Sequence, residues 1–455
     1  MEIFRTYDIR GFCGKDLNET VAYKIGRAFV LFLKCKQVCI GRDMRSTSPE
    51  LFNGLAKGIT DQGADVVDIG LASTDMLYFA VAHNDFESGI MITASHCGKE
   101  LNGMKLTRKK GVPVSGGSGM EEIKEIYDKY STDFISMVEN NFPSPENEKG
   151  KVIVKENVLT DFVDNAKQFV DISQIKPLKV VCDAGNGMAG FTLPKLFEGL
   201  PITLIPLYFE LDGNFPNHEA NPLIPEFRED IVAKIREENA DLGIMYDGDS
   251  DRIAFFDETG HYIQSDLLLG FIIDKLFTEH QGKTVVYDLR CSWYVKDMIA
   301  RHGLKGILSK VGYANIKPLM KENNSVIGSE MSGHFFWPID QGNNENTLVT
   351  TLVMLEILSK ENKKMSELFA ETKNYFLSGE VNFKVKDKNV VIEKLKEKYH
   401  DGEQLELDGI SVKYEHWHFN VRESQNDPVL RLVLETKSKA LLDEKFEELK
   451  KIIES

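Results

Sequence analysis

The chain has 455 residues, 42% apolar and 28% charged, too long for one hydrophobic core and globular in composition rather than disordered or fibrous. Its 55 Lys and Arg against 71 Asp and Glu leave a net charge of −16, so binding of nucleic acid or anionic membrane is not expected, and an anionic ligand needs a local basic pocket. Cys13, Cys35, Cys39, Cys97, Cys182 and Cys291 form no Cys-x-x-Cys pair and no cluster with histidines, which speaks against a zinc site or a disulfide framework. With no leader-like N-terminus and no membrane-length apolar run, the expected location is the cytoplasm.

Three times an apolar strand runs into an acidic residue: "QVCIGRD" at Asp43, "LKVVCDAGN" at Asp183 and "KTVVYDL" at Asp288. Each is followed by a helical stretch and a second strand, "ADVVDIG" (64–70), "ITLIPLY" (202–208) and "LKGILSK" (304–310), the signature of parallel βαβ units. A third short strand then ends in a polar loop: "TASHCGKELNGMK" (93–105), "DGDSDR" (247–252) or "GSEMSGH" (328–334). Ligands of open α/β sheets sit beyond the carboxyl ends of the strands, where these loops fall. The tail, with "SGEVNFKVK", a lysine-rich helix near 390–399, three strand-like runs through Val433 and the helix "SKALLDEKFEELKKIIE", reads as a smaller antiparallel α+β domain. The stretch 140–150 is the clearest linker, and the expected domains are 1–150, 151–257, 258–372 and 373–455.

Asp247, Asp249 and Asp251 alternate directly after the strand "LGIMY". Three carboxylates so close repel one another unless a cation holds them, and oxygen ligands of this density suit Mg²⁺. A solvated acidic turn needs one such residue, not three. An EF-hand fails because Arg252 stands where its loop demands Gly and "IAFF" reads as strand. Ser95 alone reads as a turn or cap serine, but His96 and Lys105 share its loop, and a phosphorylated serine beside Mg²⁺ and cations would hold a phosphoryl group in reserve. Glu330, Ser332 and His334 form a polar, glycine-flanked loop fit either for sugar hydroxyls or for a simple turn. "RESQNDPVLR" (422–431) carries Arg422, Ser424, Asn426 and Arg431, and Arg is the side chain best shaped to fork onto phosphate. "YDIRG" (7–11), with Tyr7 and Arg10, is a weaker signal.

In this order the loops resemble those of the α-D-phosphohexomutase family, most closely the bacterial phosphomannomutase/phosphoglucomutases, over essentially the whole chain. The resemblance implies three similar α/β domains with mixed, mainly parallel sheets, plus a C-terminal α+β domain like the TATA-box-binding protein, around a central cleft. It implies that Ser95 is the phosphoserine and that Asp247, Asp249, Asp251 and Ser95 hold one Mg²⁺ per chain. Arg10, His96, Lys105, Arg252 and His334 would surround the chemistry. Tyr7, Glu330, Ser332, His334, Arg422, Ser424, Asn426 and Arg431 would bind substrate. The implied reaction interconverts hexose 6-phosphate and hexose 1-phosphate, of mannose or glucose, through a hexose 1,6-bisphosphate; the Met331 of "GEMSGH" matches the dual mannose/glucose branch.

The chain departs from the family pattern at Cys97-Gly98 (usually Asn-Pro), Gly312-Tyr313 (Gly-His), Ser424-Gln425-Asn426 (Ser-Asn-Thr) and Asp340-Gln341-Gly342 (Asp-Asp-Gly). Tyrosine is a poor base at neutral pH, so proton relay falls to Arg10, Lys105 or His334. The competing expectations are a sugar-phosphate phosphatase and a catalytically silent sugar-phosphate-binding paralogue.

Overall fold

A computed structural model describes residues 3–130, 148–340, 342–424 and 428–455. Most of the expected linker, and Gln341, Gln425 and Asn426, lie outside them. The chain divides into two compact units, Met1–Ile263 with Ser332–Met365, and Gln264–Met331 with Ser366–Ser455.

The first unit contains two sheets. In the first, strands β1 (Ile9–Phe12), β2 (Gln37–Arg42), β3 (Asp65–Leu71), β4 (Ser88–Ile92), β5 (Leu101–Arg108) and β6 (Val152–Val154) lie in the order β1-β5-β4-β2-β3-β6. Strands β6, β3, β2 and β4 run parallel, and β5 returns antiparallel to β4. The second sheet repeats the plan, with β7 (Leu178–Asp183), β8 (Ile202–Leu207), β9 (Leu242–Tyr246), β10 (Ile253–Asp257) and β11 (Tyr262–Ile263) in the order β11-β10-β9-β7-β8. Here β8, β7 and β9 are parallel, and β10 returns antiparallel. Strands β4, β9 and β10 are buried at every position, which is why they read as unbroken apolar runs rather than alternating ones.

In the second unit, β12 (Thr284–Asp288) pairs in parallel with both β13 (Lys305–Ser309) and β14 (Ile327–Ser329). The antiparallel hairpin of β15 (Phe335–Ile339) and β16 (Gly342–Glu345) belongs to the first unit. The tail forms an antiparallel sheet of β17 (Phe376–Phe383), β18 (Glu403–Leu405), β19 (Ile410–Lys413), β20 (Trp417–Glu423) and β21 (Leu430–Thr436), in the order β17-β21-β20-β19-β18. Helices Lys388–Lys398 and Lys439–Glu454 pack on it through a core that includes Leu395, Phe419, Leu432 and Leu449.

The fold is thus three α/β domains with mixed sheets and a fourth, antiparallel-sheet domain, as the sequence implied. The tail holds more strands than its apolar runs suggested, because β18 is exposed at every position and carries no inward face. Among the described residues no helix is long and apolar enough to cross a membrane.

Candidate active site

The loop after β9 turns Asp247, Asp249 and Asp251 inward, all three buried, with carboxylate oxygens within 4.8 Å of one another. Ser250 takes the left-handed conformation (φ 59°), and Asp247 Oδ1 accepts the N–H groups of Asp251 and Arg252, each at 3.1 Å. Lys105 Nζ, from β5, donates to Asp249 Oδ2 at 2.6 Å and Asp251 Oδ2 at 2.5 Å. Arg252 Nε lies 3.8 Å from Asp247 Oδ2.

Burial, followed by the Asp249 and Asp251 charges, pushes the Asp247 carboxyl well above its ordinary range. Burial acts the same way on Asp251, but Lys105, His334 and Arg252 together hold that carboxyl well below it. Asp249 Oδ1 is buried without a hydrogen-bond partner among the described residues. An orphaned carboxylate oxygen in a loop short of positive charge fits a hard divalent cation.

Ser95 follows β4 and is itself left-handed (φ 54°). Its hydroxyl donates to Asp247 Oδ2 at 3.0 Å and lies 3.1 Å from His96 Nδ1. With the hydroxyl proton on Asp247, the His96 contact calls for a proton on Nδ1. Burial and the surrounding Arg252, Arg10 and Lys105 charges hold the His96 pKa well below its usual value, so the ring is neutral. The glycine between Asp247 and Asp249 is a steric necessity: a Cβ on Gly248 would lie 2.5 Å from the Ser95 carbonyl oxygen. Arg10 reaches the same loop, donating to Cys97 Sγ at 2.8 Å while paired with Asp8. Tyr7, half-buried, precedes β1.

The loop Ser329–His334 spans both units. His334 Nε2 lies 3.2 Å from both Asp251 Oδ1 and Arg252 Nε; with a proton it serves the carboxylate, without one it accepts from the guanidinium. Ser332 Oγ is 3.4 Å from His334 Nδ1. The structure therefore gathers Ser95, His96, Lys105, Asp247, Asp249, Asp251, Arg252 and His334 in the first unit.

In the second unit, Glu330 Oε1 accepts the Gly312 N–H at 2.7 Å and lies 3.8 Å from Arg290 Nη2. Arg422 donates to Glu380 Oε2 at 2.9 Å and Arg431 to Glu380 Oε1 at 3.0 Å. Arg290 joins them, with Nη1 2.9 Å from Glu380 Oε2 and Nη2 2.8 Å from Asp288 Oδ2. Ser424 is buried, and its N–H donates to the Val429 carbonyl. The sequence reading singled out neither Arg290 nor Glu380. Position after an apolar strand, as with the polar loops, was the available signal for Arg290. Glu380 is aimed by a bulge between Leu377 and Glu380, with Gly379 at φ 68°.

Models of the phosphoglucomutase/phosphomannomutase α/β/α domains I, II and III match residues 1–134, 160–260 and 264–375. The chain belongs to this family. A phosphomannomutase of Escherichia coli is 36% identical over 98% of this chain and 98% of its own. One from Vibrio cholerae is 36% identical over 99% and 98%. The crystal structure of a phosphoglucomutase/phosphomannomutase family protein from Burkholderia thailandensis matches with a TM-score of 0.86 at 30% identity, covering 99% of this chain and 96% of that one.

Proposed function

We propose that the protein is a Mg²⁺-dependent phosphohexomutase that interconverts the 6- and 1-phosphates of mannose or glucose. The observation that carries this reading is the Ser95 hydroxyl held 3.0 Å from Asp247, within an aspartate cluster that leaves Asp249 Oδ1 bare. Family membership and the full-length likeness to phosphomannomutases support it.

Residues 1–150 supply the serine, 151–257 the aspartates, 258–372 the sugar loop and 373–455 the phosphate-gripping arginines. Ser95 enters the cycle phosphorylated and gives its phosphoryl group to the free hydroxyl of the monophosphate. The resulting 1,6-bisphosphate is rebound in the opposite sense and returns its other phosphoryl group to Ser95. Asp247, Asp249 and Asp251, with Ser95, would hold Mg²⁺, which would neutralise charge on the transferring group. Arg252 and Lys105 add positive charge beside Ser95, while His334, poised between Asp251 and Arg252, handles the substrate hydroxyl proton. Glu330 takes sugar hydroxyls, and Arg422 and Arg431 take the phosphate that stays in place.

The test is ³¹P NMR of purified protein with Mg²⁺ and mannose or glucose 1-phosphate, alongside intact mass. Formation of the 6-phosphate and one phosphoryl increment on Ser95 are expected. Inorganic phosphate released faster than isomer forms would instead identify a phosphatase, and binding without turnover a silent paralogue.

A further inference from the structure

Thr74 belongs to none of the loops that carry the chemistry, yet it grips one of their aspartates twice. It is the first residue of the helix Thr74–His83 and is fully buried. Its N–H donates to the Asp249 carbonyl oxygen at 2.9 Å, and its hydroxyl donates to Asp249 Oδ2 at 2.5 Å. Lys105 occupies the same Oδ2 at 2.6 Å. One carboxylate oxygen thus has two donors while Oδ1 has no partner among the described residues. A carboxylate turns readily about its last bond, so this asymmetry has to be imposed from outside. The imposing segment is itself anchored: Asp75, next in sequence, accepts the N–H of Thr347 at 3.1 Å and its hydroxyl at 2.8 Å. The same Thr347 hydroxyl lies 3.0 Å from the Ser250 carbonyl oxygen, on the aspartate loop.

We infer that Thr74 is a positioning residue that locks Asp249 with Oδ1 presented to the cation. The inference rests on the metal reading above. Partners that orient a metal ligand govern affinity for the ion more than the bond-making step, because the ligand itself survives their loss. Lys105 cannot replace Thr74, since an ammonium on a flexible stem fixes charge but not direction.

The experiment titrates Mg²⁺ alone into purified full-length protein by calorimetry, for wild type, Thr74→Val, Thr74→Ser and Asp249→Asn. Thr74→Val keeps the branched shape without the hydroxyl and should weaken Mg²⁺ binding about 10- to 100-fold. Thr74→Ser should bind close to wild type. The Mg²⁺ concentration giving half-maximal turnover should rise in step for Thr74→Val, with kcat at saturating Mg²⁺ near wild type. Thermal melts verify folding, and Thr74→Ala supplies the same comparison if the valine variant does not fold. Wild-type affinity in Thr74→Val, or equal losses in Thr74→Val and Thr74→Ser, would overturn the inference. If Asp249→Asn bound Mg²⁺ as well as wild type, the metal reading would fall instead.

Discussion

Replacing Glu380 with glutamine perturbs the arginine cluster at a carboxylate that Arg290, Arg422 and Arg431 share. Burial favours the protonated acid, but Arg290, Arg422 and Arg431 outweigh it and lower the Glu380 pKa from 4.5 to about 2. A shift of that size is worth about 3 kcal/mol of stability. Because the folded-state pKa is depressed, this contribution is complete above pH 4.5 and is lost as pH falls toward about 2. Glu380→Gln leaves three guanidiniums around a neutral amide, and removing one partner of a buried ion pair costs about 3–5 kcal/mol. Urea unfolding of both proteins at pH 7 should therefore show the variant less stable by about 3 kcal/mol, with the gap narrowing between pH 4.5 and about 2, where the unfolded carboxylate takes up a proton and the native one does not yet. Inorganic phosphate should raise the melting temperature of the variant more than that of wild type, since the three guanidiniums then lack the charge of Glu380 and attract a free anion more strongly. Equal stability at pH 7, or a gap that does not change with pH, would refute the charge argument.

Ser95→Ala should abolish turnover and the phosphoryl mass increment while leaving the melting temperature near wild type; a phosphoryl group found on another residue of the native enzyme would defeat the assignment. Arg422→Lys should lose roughly 1.5–3 kcal/mol of charge-assisted hydrogen bonding, read as roughly a 10- to 100-fold fall in kcat/KM for both sugar 1-phosphates. Arg45→Lys should cost roughly 1.5–3 kcal/mol for each charge-assisted hydrogen bond lost and speed amide exchange around Ser95, because one ammonium cannot reproduce the fan of bonds from Arg45 to the Ser95, Cys97, Gly98 and Leu101 carbonyls.

The sequence disclosed what is contiguous. Asp247, Asp249 and Asp251 are adjacent in the chain and remain adjacent in space, and Ser95, His96 and Lys105 come from one strand, loop and return strand. What it hid is assembled by packing. Thr74 and Asp249 are 175 residues apart, and the "STD" of residues 73–75 resembles any helix start. Glu380 sits in a strand whose bulge, not its pattern, decides where it points. Sequence grouped His334 with Glu330, yet its Nε2 meets Asp251 and Arg252, because the chain passes from one unit to the other between Met331 and Ser332.

The repeated acid at the end of each first strand also finds its reason in space. Asp43, Asp183 and Asp288 are all buried, where an unpaired carboxylate would be costly. Asp43 pairs with Arg45, whose remaining donors hold the carbonyls of the Ser95 loop. Asp288 pairs with Arg290 and also accepts the Met331 N–H at 2.9 Å, fixing the loop after β14 directly. Asp183 accepts the Gly185 N–H and faces His218 Nε2 at 3.0 Å. In the first and third domains the acid at the end of one parallel strand therefore secures the polar loop that leaves its neighbour. Left-handed backbone at a residue such as Ser95 costs about 1–3 kcal/mol and persists where surrounding bonds over-determine it. The Asp43–Arg45 pair supplies those bonds, so this aspartate holds the left-handed Ser95 turn in place through the arginine it anchors.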